Sequence, residues 1–220
     1  MTPADQPVVV SVQVGRVAPL GPDEVPSAFI KTPVDKGVIV RRLGLEGDVQ
    51  ADLSVHGGVD KAVYLYPARH YQTWRHELPQ HADVLLPGGF GENLTVSALD
   101  EESVCLGDVV RIGSATLQVT QFRQPCFKLG LRFGDNRMPR AMLKTGRSGW
   151  YARVLGEGAL GKGDAVVLQD RPNPTWPVRR LAHLFAHRDA TLQDMAELSC
   201  LEGLAAHWRR IAKAFLRNDV

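Results

Sequence analysis

Cys126 is a thiol placed between two cationic side chains. Arg123 lies three residues before it and Lys128 two residues after it. Nearby positive charge favours the thiolate form of cysteine, which is the form that binds a metal or attacks an electrophile. A thiolate is also a soft ligand, and clustered positive charge attracts anions. The segment therefore indicates an anionic cofactor that carries a soft metal, with Cys126 as the metal ligand; the alternative is a buried, inert thiol.

The basic character continues beyond Cys126. From residue 123 to residue 153 the chain has eight arginine or lysine residues and a single acid, Asp135. The 220 residues together have a formal net charge of only +2, so overall charge does not predict a nucleic-acid partner. The basic segment is either a local anion-binding field or a solvated basic face. Single-stranded nucleic acids are bound where exposed aromatic side chains are interleaved with cations, and we do not expect that here.

The three cysteines, Cys105, Cys126 and Cys200, are far apart in the sequence. Their spacing argues against disulfides, iron–sulfur clusters and structural zinc, and favours a reducing compartment. We expect Cys105 and Cys200 to be buried, inert thiols. The N-terminal residues lack the pattern of a secretory signal, and no apolar run reaches the roughly 18 residues of a membrane span. The sequence thus predicts a cytoplasmic protein without a membrane partner.

A glycine pair near residue 57 supplies further candidate site residues. Gly57 and Gly58 allow the backbone to approach a ligand closely. The polar side chains that could act beside them are His56, Lys61, Asp48 and Asp60. The alternative is a simple glycine turn into a strand, with the charges on the surface.

Segment 87–94 contains three glycines followed by Glu92 and Asn93. Such a tight backbone could present N–H groups to an anion, although it matches neither a Walker loop nor a Rossmann fingerprint. In segment 145–153, Arg147 and Arg153 could clamp a phosphate between small residues. The neighbouring Trp150 and Tyr151 fit core packing better than stacking on a ligand.

Short β-branched runs separated by Gly, Pro, Asp or Asn predict many short strands, at 8–14, 38–42, 62–66, 93–96, 109–112, 116–120, 150–155 and 165–169. Helices are predicted at 67–78 and 136–144. Few helical crossovers separate the strands, which favours an α+β, mainly β, barrel over a parallel sheet. The thiol Cys126 then lies between a strand end and a short helix.

The composition changes at residue 171, where three prolines within six residues form a stiff linker. Helix-forming residues dominate afterwards and predict helices at 178–187, 191–198 and 201–216. We therefore divide the chain into a barrel domain, 1–170, and a helical domain, 171–220. About fifty residues are too few for a comfortable independent fold, so the tail should pack on the main body or on a partner.

The order and spacing of these motifs resemble the MOSC domain, the C-terminal module of molybdenum cofactor sulfurases. The matching stretches are 44–48, 56–58, 91–94, 107–108, 121–129 and 146–150. Within that family the chain looks most like the YiiM type, which has a helical C-terminal extension. The resemblance implies a barrel-rich fold that binds a molybdenum–pterin cofactor (molybdopterin), with Cys126 as the thiolate on molybdenum. A superfamily-level association with pyridoxal phosphate also belongs to this expectation.

The resemblance further implies reduction of N-hydroxylated compounds, including N-hydroxylated purine bases. We expect a separate reductase to deliver the electrons, because no flavin, nicotinamide or cluster motif is evident. Candidate catalytic residues are Cys126, Asp48 and His56, and candidate cofactor-binding residues are Lys61, Gly57, Gly58, Glu92, Asn93, Arg123, Lys128 and Arg147. A sulfur carrier or cofactor-storage protein, with a persulfide on Cys126, is the alternative. The oligomeric state stays open, a homodimer being one option.

Overall fold

The computed structural model describes residues 6–51 and 57–218. Its strands are β1 (Val9–Gly15), β2 (Ala18–Leu20), β3 (Val25–Ser27), β4 (Lys31–Pro33), β5 (Val38–Arg41), β6 (Gly44–Leu45), β7 (Val63–Pro67), β8 (Leu94–Val96), β9 (Val109–Ile112), β10 (Ala115–Phe122), β11 (Trp150–Gly156), β12 (Gly158–Leu160) and β13 (Val166–Asp170). Its helices are α1 (Ala68–Glu77), α2 (Phe127–Phe133), α3 (Met138–Thr145), α4 (Val178–His187), α5 (Leu192–Cys200) and α6 (Ala206–Asn218).

Eight strands form one large sheet in the order β13-β9-β10-β11-β7-β8-β1-β4. Its neighbours are antiparallel except β7 and β8, which are parallel. Two small sheets, β12-β5-β6 and β2-β3, complete the β structure of the described residues. The predicted mixed, mainly β architecture without a parallel α/β sheet is therefore confirmed.

The predicted barrel does not close in the part of the chain that the structure describes, because the large sheet has two edge strands, β13 and β4. The residues before β1 and β13 nevertheless meet at an isolated bridge between Val8 and Ala165. Backbone hydrogen bonds flank this bridge on both sides, from the Val9 N–H to the Asp164 carbonyl and from the Val166 N–H to the Pro7 carbonyl. A proline has no N–H to donate in return, so the Pro7 side of the bridge has a single hydrogen bond.

The largest apolar cluster lies between the sheet and the C-terminal helices. Strand β10 is buried along most of its length, and its last residue, Phe122, packs against Phe185 of α4 and Trp208 of α6. The ring centroids of Phe122 and these two side chains are 5.5 and 5.4 Å apart. The helical tail thus packs on the main body, as expected, and a single apolar core spans both. The predicted division at residue 170 stays a prediction.

A second cluster, rich in aromatic residues, supports the other side of the sheet. Helix α1 follows Pro67, whose fixed φ suits a helix start, and buries Tyr71 and Trp74. Tyr66 stacks on Phe90 with 4.5 Å between ring centroids, and the Trp74 indole donates a hydrogen bond to the Tyr66 hydroxyl. These buried rings fix the segment that leads into β8. None of the helices in the described residues has the length and apolar character needed to cross a membrane.

Candidate functional site

A pocket opens beside the end of β10; its cavity volume is about 80 Å³, and the open space at its mouth brings the total to about 580 Å³. Its walls include four cationic side chains, Lys31, Lys61, Arg123 and Lys128, and one carboxylate, Asp48. The remaining lining side chains that matter here are Cys126, Asn93, Phe29, Tyr64, Phe90 and Tyr151.

Cys126 lies on the pocket wall between β10 and α2, as the sequence predicts. It is the residue before helix α2 and has an extended backbone, with φ −121° and ψ 172°. Its side chain is half-buried, so the sulfur is neither sealed in the core nor fully solvated. Lys61 and Arg123 are both electrostatically coupled to it. The Cys126 thiol therefore lines the pocket in a positive electrostatic field.

Arg123 is a buried cation without an acidic partner. It is only 4% exposed, and within residues 6–51 and 57–218 no carboxylate lies within 4 Å of its guanidinium. Burial alone would lower its pKa, but Tyr64, Tyr151 and Cys126 more than offset that effect, so the pKa lies above its usual value. Buried charges in proteins are normally paired. A permanently charged group that faces a pocket without a carboxylate partner fits an anionic ligand.

Lys61 and Lys128 approach the pocket from two other elements. Lys61 ends a single 3-10 turn, Val59–Lys61, which begins after Gly58 at φ 92°. A side chain at Gly58 would meet open space, so the positive φ, rather than crowding, favours glycine there. Burial lowers the pKa of the Lys61 ammonium below its ordinary value. Lys128 is buried and donates to the Pro26 carbonyl at 3.2 Å.

Asp48 forms the polar floor of the pocket together with Lys31 and Asn93. One of its oxygens accepts from the Lys31 ammonium and the Gly15 N–H, and the other accepts from the Asn93 amide at 2.8 Å. The Asn93 oxygen in turn accepts from the Tyr64 N–H. Both Asp48 oxygens are therefore engaged, which suits an orienting role. A catalytic role for Asp48 stays a prediction.

Two of the predicted cofactor-binding side chains do not line the pocket. Glu92 is fully buried and accepts hydrogen bonds from Tyr71, Gly88 and Thr95, so it organises the glycine loop from the inside. Burial raises its pKa. Arg147 makes two 2.7 Å hydrogen bonds to Glu77 and lies over the Trp74 ring.

The remaining predicted residues have mixed outcomes. Gly57 and Gly58 lie just before the Lys61 turn, whereas His56 lies outside the described residues. Trp150 is a core residue, as predicted, but Tyr151 lines the pocket. Cys105 is buried with a raised pKa caused by burial, while Cys200 is exposed, so the prediction of a buried thiol is wrong there. Cys200 is the last residue of α5, where the helix faces solvent.

Lys31 and Phe29 were not predicted. Phe29 lies between β3 and β4, and Lys31 is the first residue of β4; both strands have only three residues and show no clear alternation. The pairing of β4 with β1 carries Lys31 to Asp48. No group of three or more His, Cys, Asp or Glu side chains in the described part of the chain is arranged as a metal site.

Comparison with known proteins identifies the family. The family description "MOSC domain" matches residues 52–167, and "YiiM-like, 3-alpha helix domain" matches residues 176–216. A protein named "Reductase" from Gibberella moniliformis is 38% identical over 96% of this chain, which spans only 38% of that protein's length. "Protein YiiM" from Escherichia coli is 35% identical over 91% of this chain and 89% of its own.

A solved structure agrees with the sequence matches. The crystal structure of YiiM from Geobacillus stearothermophilus has a TM-score of 0.80 and 32% identity, and the alignment covers 96% of this chain and 99% of that one. None of these descriptions supports the pyridoxal phosphate association. Both the sequence matches and the shared fold include the C-terminal helices as well as the sheet. The chain therefore belongs to the MOSC family and carries a YiiM-like three-helix domain at residues 176–216.

Proposed function

We propose that this protein is a molybdenum-cofactor-dependent reductase of N-hydroxylated compounds, with N-hydroxylated purine bases among its substrates. The observation that carries the proposal is that a half-buried thiol, Cys126, and a buried arginine, Arg123, which has no acidic partner among the described residues, open into the same pocket. A soft ligand and an anion-binding group are what a phosphate-bearing pterin with a bound metal requires. MOSC family membership and the relative named "Reductase" support the same class of activity.

Each of these residues has a role that follows from its position in the pocket. Cys126 would bind the metal, and Arg123, Lys61 and Lys128 would hold the anionic part of the cofactor. When bound, the cofactor supplies the two-electron chemistry that cleaves the N–O bond. The overall reaction consumes two electrons and two protons and releases the amine and water.

The aromatic walls of the pocket suit a flat substrate. The Tyr64 and Tyr151 ring centroids are 5.1 Å apart, and Phe29 lies beside them under the Arg123 guanidinium. Burial raises the pKa of both tyrosines, so their hydroxyls stay protonated near neutral pH. These rings would exclude water and orient a planar base by stacking. Asp48 would keep Lys31 and Asn93 in place beneath it.

The electrons would come from a separate protein. The relative named "Reductase" contains a segment that matches 96% of this chain, yet that match fills only 38% of its length. The rest of that protein would supply electrons within one polypeptide, whereas here a separate protein would supply them. The cytoplasmic location is part of the same proposal.

Substitution of Cys126 tests the proposal. Cys126→Ser, purified from a host that makes the molybdenum cofactor, should fold normally but lose bound molybdenum or nearly all reduction of an N-hydroxylated base. Cys200→Ser is the matched control, because it removes an exposed thiol on α5 and should leave metal content and turnover unchanged. Unchanged turnover in Cys126→Ser would refute the assignment. Cyanide-labile sulfur on Cys126 without any reduction would favour the sulfur-carrier alternative.

A further inference from the structure

Asp60 joins the pocket to the last helix of the chain. It lies in the turn Val59–Lys61, one residue before Lys61. One of its side-chain oxygens accepts the N–H of Ala206, the first residue of α6, at 2.9 Å. The other forms a 2.8 Å ion pair with Arg153 of β11. A single carboxylate therefore connects the pocket turn with the central sheet and with the three-helix domain.

The same junction has three additional hydrogen bonds. The Thr120 hydroxyl of β10 donates to the Asp60 carbonyl at 2.6 Å, and the Thr120 carbonyl accepts the Ala205 N–H at 3.1 Å. Arg153 also donates to the Leu204 carbonyl at 3.3 Å. The loop before α6 and the Lys61 turn are thus bonded to the same two strands. A shift of one would be transmitted to the other through short polar contacts.

We propose that Asp60 is a positioning residue that uses the N-terminus of α6 and Arg153 to hold Lys61 at the anion-binding wall of the pocket. This inference rests on the proposed function only in requiring that the pocket binds an anion. It also assigns a role to the three-helix domain, because the Asp60 carboxylate links that domain to the turn that carries Lys61. Without Asp60, the turn would keep the Thr120 hydrogen bond and its chain connection to β7, but it would lose this contact with α6.

The position of Lys61 matters because the turn follows two glycines. Gly57 and Gly58 have no side chains that could anchor the turn from its N-terminal side. Within residues 6–51 and 57–218, the charged or titratable groups that act on Lys61 include Asp60 on its own turn, Arg123 after β10, Cys126 before α2 and His207 in α6. His207 and Lys61 are close enough for the ammonium to contribute to a lowered His207 pKa, although burial is the larger cause. The first turn of α6 therefore lies within electrostatic range of the pocket.

Binding of inorganic phosphate to the full-length protein, measured by calorimetry, tests the inference. Asp60→Ala should weaken phosphate binding roughly ten-fold, as expected when one charge-assisted contact is misplaced. Asp60→Asn should recover part of the affinity, because an asparagine oxygen still accepts the Ala206 N–H. Asp194→Ala is the matched control, since Asp194 also caps a helix of the three-helix domain and pairs with an arginine, Arg180. It should bind phosphate like the wild type.

A double-mutant cycle separates positioning from a general loss of stability. If Asp60 acts through Lys61, Asp60→Ala should have no further effect on phosphate affinity in a Lys61→Met background. Full additivity of the two substitutions, or equal losses in Asp60→Ala and Asp194→Ala, would overturn the inference. If the wild-type protein binds no phosphate, the anion-binding pocket itself is refuted, and the proposed function fails together with the inference. The outcomes are therefore distinguishable.

Discussion

Replacing Arg123 by methionine should weaken anion binding strongly and destabilise the fold modestly. Most buried arginines cannot be removed in this way, because each leaves a buried carboxylate behind. Arg123 has no such partner among the described residues; its neighbours are the rings of Phe29 and Tyr64, the Met142 sulfur and the Tyr151 side chain, to which it is hydrogen-bonded. A methionine can fill this apolar space with a flexible, uncharged side chain.

The expected magnitudes follow from these contacts. The two rings lie 5.7 and 5.8 Å from the guanidinium carbon, near the outer limit of cation–π contacts, so their loss should cost about 1 kcal/mol in total. Loss of the hydrogen bond to Tyr151 should cost about 1 kcal/mol more. The surroundings of Arg123 raise its pKa and so favour its charge, which means that removing the charge should return no stability. The ligand-free variant should therefore be about 2 kcal/mol less stable than the wild type. Loss of a charge-assisted contact worth about 2–3 kcal/mol should weaken phosphate binding roughly 30- to 150-fold.

Urea unfolding of the ligand-free proteins and phosphate calorimetry provide the two measurements. Arg171→Met is the matched control, because Arg171 makes hydrogen bonds of 2.9 and 2.7 Å to the two oxygens of Asp108, whose side chain is 2% exposed. That variant leaves a buried carboxylate unpaired and should lose about 1–2 kcal/mol of stability, with phosphate affinity unchanged. A destabilised Arg123→Met that still binds phosphate normally would show that Arg123 is a structural residue and would refute the reasoning.

Two further predictions concern the scaffold. Gly89→Ala should lose about 2–3 kcal/mol in urea unfolding, because a Cβ there would lie 2.2 Å from the Val84 carbonyl oxygen, whereas Gly37→Ala, with its nearest contact at 3.6 Å, should be nearly neutral; equal stabilities would contradict the packing of the glycine loop. Asp194 has a pKa lowered to about 2 by hydrogen bonds from Arg180 and Thr191, so its contribution to stability is complete above its unfolded pKa of about 3.9 and is lost as the pH falls towards 2. The stability difference between the wild type and Asp194→Asn should shrink over that range, and a difference independent of pH would contradict this linkage.

Sequence alone could predict the part of the site that is local in the chain. Cys126, Arg123 and Lys128 lie within six residues, and the turn between β10 and α2 brings all three to one pocket. A short helix after Cys126 was expected, but the bounds of α2 were not predicted, because its seven residues contain Gly130 and are too short for a clear apolar period. The strand ends nearby were predicted because the β-branched runs are bounded by glycine and proline.

Long-range pairing decides the rest, and local polarity does not reveal it. Glu92 and Arg147 carry the right chemistry for an anion site, but Glu92 turns inward to Tyr71, and Arg147 pairs with Glu77, 70 residues away in the sequence. Lys31 reaches the pocket only because β4 pairs with β1. In the same way, the periodicity of the strands does not reveal whether the large sheet closes or, as observed in the described residues, keeps β13 and β4 as edge strands.

The electrostatic character of the pocket follows from how its charges are paired. Asp48 is the only carboxylate among the described lining residues, and it is held by Lys31 in a pair whose side chains are 2% and 7% exposed. That pair is nearly neutral as a unit and contributes little to the field inside the pocket. The remaining cations are Arg123, Lys61 and Lys128, of which Lys61 faces the Asp60 carboxylate on its own turn. Each comes from a different element, so an anion that contacts all three would also stabilise the arrangement of β10, α2 and the Lys61 turn. Ligand binding should therefore fill the pocket and also order the residues around Cys126.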